Sequence, residues 1–108
     1  MDVFSALAEP KRRSILELIA RHGQLSASAI AAAFSISSPA VSQHLKILRE
    51  AKLLRMDKLA QKRIYRINPA ALLEVENWAK QTTATWDARF TRLDSVLANE
   101  QRKGQGER

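Results

Sequence analysis

Residues 35–55 read SISSPAVSQHLKILREAKLLR, and the reading of this stretch decides the fold. Wound as a helix at about 100° per residue, residues 39–52 gather Ala40, Val41, His44, Leu45, Ile47, Leu48 and Ala51 on one broad arc. Pro39, Ser42, Gln43, Lys46, Arg49 and Glu50 fill the opposite arc. The first arc is a face for docking on a core. The second carries small hydroxyls, an amide and cations, whereas a helix that only plugs a core commonly carries paired Glu and Lys outward.

Upstream, the chain reads as short, punctuated helices. Asp2 to Ala8 forms a short helix with Phe4 and Leu7 on one face, closed by the Glu9-Pro10 pair because a residue before proline avoids the helical region. Pro10 opens a second helix with Ile15, Leu16, Leu18 and Ile19 as its apolar stripe and Gly23 as its stop. Ser26 caps a third, with Leu25 and Ile30 placed as a hydrophobic staple. The small residues Ala29, Ala32 and Ala33 are expected to let another helix approach closely, and Ser35-Ile36-Ser37 breaks the chain before the opening helix. Two short helices joined by such a turn make a helix-turn-helix pattern.

Downstream of Leu53 the apolar period changes to alternation. Leu54 and Met56 share one face of a first strand, and Tyr65 and Ile67 one face of a second, which predicts a hairpin with its tip near Ala60 to Lys62. Asn68-Pro69 supplies a cap and a first-turn proline for a last helix expected to run to about Asn99. Residues 1–99 are then one mainly α domain with a small β-hairpin, and residues 100–108, QRKGQGER with the preceding Glu100, are expected to be a disordered tail.

Charge narrows the partner. The 108 residues carry a formal net charge of +7. Residues 1–68 hold 12 basic and 5 acidic side chains, whereas residues 69–108 hold 6 of each. Lys46 to Arg66 alone holds 8 basic residues against Glu50 and Asp57. An excess confined in this way favours a polyanion. Cysteine is absent, which removes disulfides, thiolate metal sites and cysteine nucleophiles. The longest apolar run, Ala29 to Phe34, is far short of the roughly 20 residues a spanning helix needs, and MDVFSALAEP lacks a basic segment followed by an apolar one. A soluble, cytoplasmic protein is expected, with no membrane partner. No triad, paired-carboxylate site or phosphate loop is present, so the chain does not read as an enzyme, and no cofactor is expected.

The order of ALAEPKRRSILELI, LSASAIAAAFSISSPAVSQHLKILREAKLL and RIYRINPAAL resembles the ArsR family of bacterial winged helix-turn-helix repressors over roughly residues 3–73. The resemblance implies a winged helix-turn-helix with a long C-terminal dimerisation helix, working as a homodimer on a palindromic operator in double-stranded DNA. It also implies release by an inducer, whose identity the sequence leaves unknown. Metal sensing does not carry over: the third helix has no Cys-X-Cys pair, and His22 and His44 stand outside any ligand-rich cluster. Glycine, frequent in the family at the turn before the quoted helix and at the hairpin tip, is replaced by Ser35 and by LAQK.

The residues divide by expected role. Ser38, Ala40, Ser42 and Gln43, near the start of the quoted helix, are the candidate base readers, and Gln43 is the sharpest because its amide pairs bidentately with adenine. Ser38 is equally a candidate cap, and Ala40 a candidate core residue. Lys46 and Arg49 suit phosphates, although Arg49 is also placed to pair with a carboxylate, and His44 is placed for the core or a phosphate. Lys58, Lys62 and Arg63 at the hairpin suit a minor groove. Lys11, Arg12 and Arg13 oppose the dipole of their own helix and need either phosphates or pairing with Glu9 or Glu17. In the last helix Leu72, Ala79, Trp86 and Leu93 recur every seven residues, flanked by Val75, Phe90 and Leu97, a spacing that suits helix against helix. The family resemblance adds Phe4 and Leu7 to that interface. Two alternatives stay open: a winged-helix module that binds another protein, which the charge pattern does not favour, and a structure-directed RNA binder, for which the chain lacks an aromatic stacking platform.

Overall fold

The computed structural model describes the backbone of residues 1–106 and the side chains of residues 1–90. Its elements follow in the order α1 (Val3–Leu7), α2 (Pro10–His22), β1 (Leu25–Ser26), α3 (Ala27–Phe34), α4 (Ser38–Glu50), β2 (Leu54–Leu59), β3 (Lys62–Ile67) and α5 (Pro69–Gly106). Met1–Val75 forms one compact unit and Glu76–Arg108 a second. The first is a winged helix-turn-helix.

Capping chemistry sets the helix starts. Asp2 accepts from the Ser5 N–H at 2.8 Å, and this hydrogen bond holds its carboxyl below the ordinary value. The small stabilisation it gives α1 is present above the ordinary carboxylate range and is lost as pH falls through the lowered value. Glu9 accepts from the Lys11 N–H, Pro10 occupies the first turn, and Gly23 at φ 83° closes α2. Ser26 accepts from the Ala29 N–H.

The core of this unit is apolar throughout. Ile15, Ile19, Ile30, Val41, Leu45, Leu48 and Leu53 are all but inaccessible, and no polar or charged residue is buried among the described residues. Side chains of this size contribute about 1.5–3 kcal/mol each on burial, and they tie α1, α2, α3 and β2 to α4. The three alanines expected to face another helix point outward instead: Ala29, Ala32 and Ala33 are exposed. Ile30 fills the inner face of α3, with Ala27, Ala31 and Phe34 packed beside it.

The hairpin acquires a third strand that the sequence reading did not anticipate. Leu25 and Ser26 pair with Tyr65 and Ile64, giving the order β1-β3-β2, all antiparallel. Two residues carry too little alternation to announce a strand, and Ser26 is read more readily as the cap it also is. The β2–β3 ladder runs from Leu54↔Ile67 to Leu59↔Lys62, so Ala60 and Gln61 form the loop, with Ala60 at φ 56° in the position glycine would favour.

Three further differences have clear physical reasons. The cations at the start of α2 pair with neither Glu9 nor Glu17. Arg12 Nε donates to the Ala6 carbonyl at 2.7 Å and Arg13 Nη1 to the Leu7 carbonyl at 2.6 Å, so both satisfy carbonyls left open at the end of α1. Lys11 Nζ lies 5.9 Å from the centre of the Phe34 ring, within cation–π range. Asn68 also does other work than expected: its Nδ2 donates to the Lys52 carbonyl at 2.8 Å, and its Oδ1 is buried without a partner. Helix α5 continues past Asn99 to Gly106, since the residues up to Lys103 contain no glycine or proline to interrupt it. Of the residues expected to form a tail, 107 and 108 lie outside the described backbone and all of 100–108 outside the described side chains.

Lys52, at φ 64°, follows α4. Its N–H donates to the Arg49 carbonyl and the Leu53 N–H to the Leu48 carbonyl, the paired bonds of a Schellman ending that glycine usually serves. Replacing Lys52 by Gly is expected to stabilise the protein by about 0.5–1 kcal/mol by relieving the left-handed strain. A urea midpoint that falls would show that the lysine stem contributes more than the backbone strain removes.

Candidate nucleic-acid interface

Helix α4 is presented from both ends by non-glycine residues in the left-handed region. Ser35 at φ 52° ends α3, and Lys52 ends α4. Between them, Val41, Leu45, Leu48 and Ala51 are buried and Ala40, His44 and Ile47 half-buried. Ser38, Pro39, Ser42, Gln43, Lys46, Arg49 and Glu50 are exposed. The two arcs read from the spacing are the two faces observed.

The cap assignment changes by one residue. Ser37 Oγ accepts from the Ala40 N–H at 3.3 Å, which makes Ser37 the cap and Ser38 the first helical residue. Ser38 is thereby released from capping. Its side chain, with those of Ser42, Gln43, Lys46 and Arg49, makes no hydrogen bond or ion pair among the described residues. Arg49 in particular has no carboxylate partner there, although Glu50 lines the same shallow surface depression as Lys46 and Arg49. His44 turns Nδ1 into the protein, where that atom is buried and unpartnered.

The hairpin sorts its charges. Arg66 and Asp57 form a 2.5 Å ion pair. Lys58 and Arg63 stand opposite one another on one face, and Lys62 faces Leu59 on the other. These three cations are exposed and without ion-pair partners among the described residues. Gln61, Lys62 and Arg63 also line a cleft of about 240 Å³ with Ser26 and Ser28 at the start of α3. The sequence reading missed Ser28, because only the pairing of β1 with β3 brings α3 beside the hairpin.

The expected dimer residues lie in both units. Leu7 is half-buried against the core of the first, and Phe4 is exposed. Leu72 and Ala79 are exposed, as are Trp86 and Phe90 at 65% and 53%, with their rings stacked at 6.4 Å. Val75, read as flanking the seam, is half-buried and packs against the core. Leu93 and Leu97 lie outside the described side chains. No group of three or more His, Asp or Glu able to hold a metal gathers among the described residues, and no helix there is long and apolar enough to cross a membrane.

Comparison with known proteins points the same way. A helix-turn-helix domain model matches residues 7–57. The transcriptional repressor SdpR of Bacillus subtilis is 38% identical over 77 residues, covering 71% of this chain and 84% of its own length. The HTH-type transcriptional regulator Rv2034 of Mycobacterium tuberculosis is 41% identical over 69 residues, 64% of each chain. Among solved structures, an ArsR-like transcriptional regulator from Rhodococcus sp. RHA1 superposes with a TM-score of 0.77 at 29% identity, over 87% of this chain and 88% of that one. A possible transcriptional regulator for arsenical resistance gives 0.69 at 33% identity, over 76% and 84%.

The one-residue change in the cap has a direct consequence for stability. Ser37→Ala is expected to destabilise the fold by about 1 kcal/mol through loss of the cap. Ser38→Ala is expected to stay within about 0.5 kcal/mol of the parent. Denaturant melts of the two variants, compared side by side, check the assignment.

Proposed function

This chain belongs to the ArsR family of winged helix-turn-helix DNA-binding transcriptional regulators, and we propose that it is a cytoplasmic repressor acting as a homodimer on a palindromic operator. The observation that carries the reading is the outward face of α4. Its polar groups are rigidly presented by a buried opposite face and have no partners of their own among the described residues. Hydroxyls and an amide near the start of such a helix suit base edges in a major groove.

In this reading Ser38, Ala40, Ser42 and Gln43 meet bases, with Gln43 paired to adenine. Lys46 and Arg49 hold phosphates further along α4. Lys58, Lys62 and Arg63 follow the backbone beside the hairpin, and the net charge supplies affinity for any duplex while α4 supplies the choice among duplexes. Repression then follows from occupancy of the operator. Relatives named for arsenical resistance and a homologue of SmtB invite a metal-linked reading. The absence of cysteine denies this chain a thiolate site for a soft metal.

The dimer rests on the helix-against-helix spacing and on the exposure of Trp86 and Phe90, large apolar surface of the kind that marks an interaction site. Phe4, Leu7, Leu72, Ala79, Leu93 and Leu97 complete the proposed seam. Two α4 helices joined in this way fall about 34 Å apart, one turn of DNA, which is why the operator should be a palindrome.

Selection of duplexes from a random library supplies the operator, and two variants then test the parts. Gln43→Ala should keep the fold and relax preference at one base pair by about 1–3 kcal/mol. Equal weakening on selected and random duplexes would remove Gln43 from base reading. Trp86→Glu with Phe90→Glu should sediment as a monomer and lose operator affinity, and a parent protein that is itself monomeric at micromolar concentration would remove the dimer.

A further inference from the structure

The hairpin tip carries a side chain that the reading above leaves without a role. Leu59 is 68% exposed, more than any other large hydrophobic residue among the described ones. Apart from Met1, the other exposed large hydrophobics lie on α1 or α5, where the proposed dimer seam runs. Leu59 lies instead on the hairpin, in its last ladder pair, opposite Lys62 and next to the Ala60-Gln61 loop. Lys58 and Arg63 occupy the other face of the same ribbon. The nearest carboxylate in the ladder, Asp57, is neutralised by Arg66. The tip therefore carries an apolar side chain with a cation across from it, unpaired among the described residues, and two more on the reverse face of the ribbon.

We propose that Leu59 is an apolar reader of the DNA minor groove, carried there by Lys58, Lys62 and Arg63, and that it selects A·T over G·C under the hairpin tip. The inference rests on the DNA-binding reading. Charge complementarity argues for the occupant: a protein surface with an apolar socket would also have to be acidic to meet three cations, whereas a minor groove pairs phosphate walls with an apolar sugar lining. Size argues for the tip alone, because the minor groove is only about 6 Å wide. Selectivity follows from hydrogen bonding. The floor of an A·T pair offers acceptors but no exocyclic amine, while guanine projects its 2-amino group. A leucine pressed on that amine removes its water and returns no acceptor.

The test uses the full chain and its selected duplex, with A·T pairs beneath the hairpin changed to G·C or to inosine·C, which restores a floor without the amine. The parent should bind the G·C duplex about tenfold more weakly than the A·T duplex, and inosine·C should recover most of the loss. Leu59→Ala should compress that ratio to about twofold or less at an unchanged melting temperature and salt slope. Lys62→Ala with Arg63→Ala should do the reverse, keeping the ratio while flattening the salt slope by about 0.9 per lost contact. Leu59→Lys, which keeps the bulk of the stem but ends in a charge, should lose the ratio while steepening the slope. A Leu59→Ala protein that keeps the parent's ratio overturns the proposal. So does one whose only change is in sedimentation, which assigns the leucine to a protein contact. A parent that binds no duplex brings down the DNA-binding reading itself, a result distinct from a parent that binds and discriminates without Leu59.

Discussion

Everything the first unit presents to a partner depends on the burial of Val41, Leu45 and Leu48. These side chains meet a core built around Ile15, Ile19, Ile30 and Leu53, and they leave α4 one way to sit. A turn of about 100° about its axis would expose that stripe and bury Lys46 or Arg49 without a partner, at a penalty of several kcal/mol. The core therefore orients the polar arc as firmly as it stabilises the fold. Both outcomes come from the same three residues.

The ends of α4 and the tip of the hairpin share a second feature. Ser35, Lys52 and Ala60 all have positive φ, and none is a glycine. Ala60 adjoins Leu59, and Ser35 and Lys52 each stand three residues from a residue proposed to touch DNA, Ser38 and Arg49. Their strain is held by local bonds: the Ser37 cap after the first, the Schellman pair and the Asn68 amide at the second, and the ladder closed by Leu59 and Lys62 at the third. Asn68 stands where β3 passes into α5, so one side chain ties the end of α4 to the start of the last helix.

Two groups of basic residues do different work. Arg12, Arg13 and Arg66 serve the protein itself, two by closing the carbonyl end of α1 and one by pairing across the hairpin. Lys46, Arg49, Lys58, Lys62 and Arg63 have no such partners among the described residues. Formal charge alone counts all of them equally. Of the unengaged cations, these five are gathered on α4 and the hairpin, where a polyanion can meet them together.

Periodicity and punctuation determined a good deal by themselves. The two arcs of α4, the helix starts at Pro10 and Ala27, the stop at Gly23 and the hairpin with Tyr65 and Ile67 on one face are all local consequences of side-chain spacing and capping chemistry, and such signals survive in one dimension. The same spacing named the outward residues Ser42, Gln43, Lys46 and Arg49. Only the tertiary structure decided which serine caps α4, that Leu25 and Ser26 add a strand to β3, that Arg12 and Arg13 close α1, and that Val75 packs against the core. It also set Ser28 beside the cations of the hairpin. Each of these depends on which groups meet across the fold. A two-residue strand or a guanidinium seeking a carbonyl has no period of its own, and its partner is chosen by the packing of elements that lie far apart along the chain.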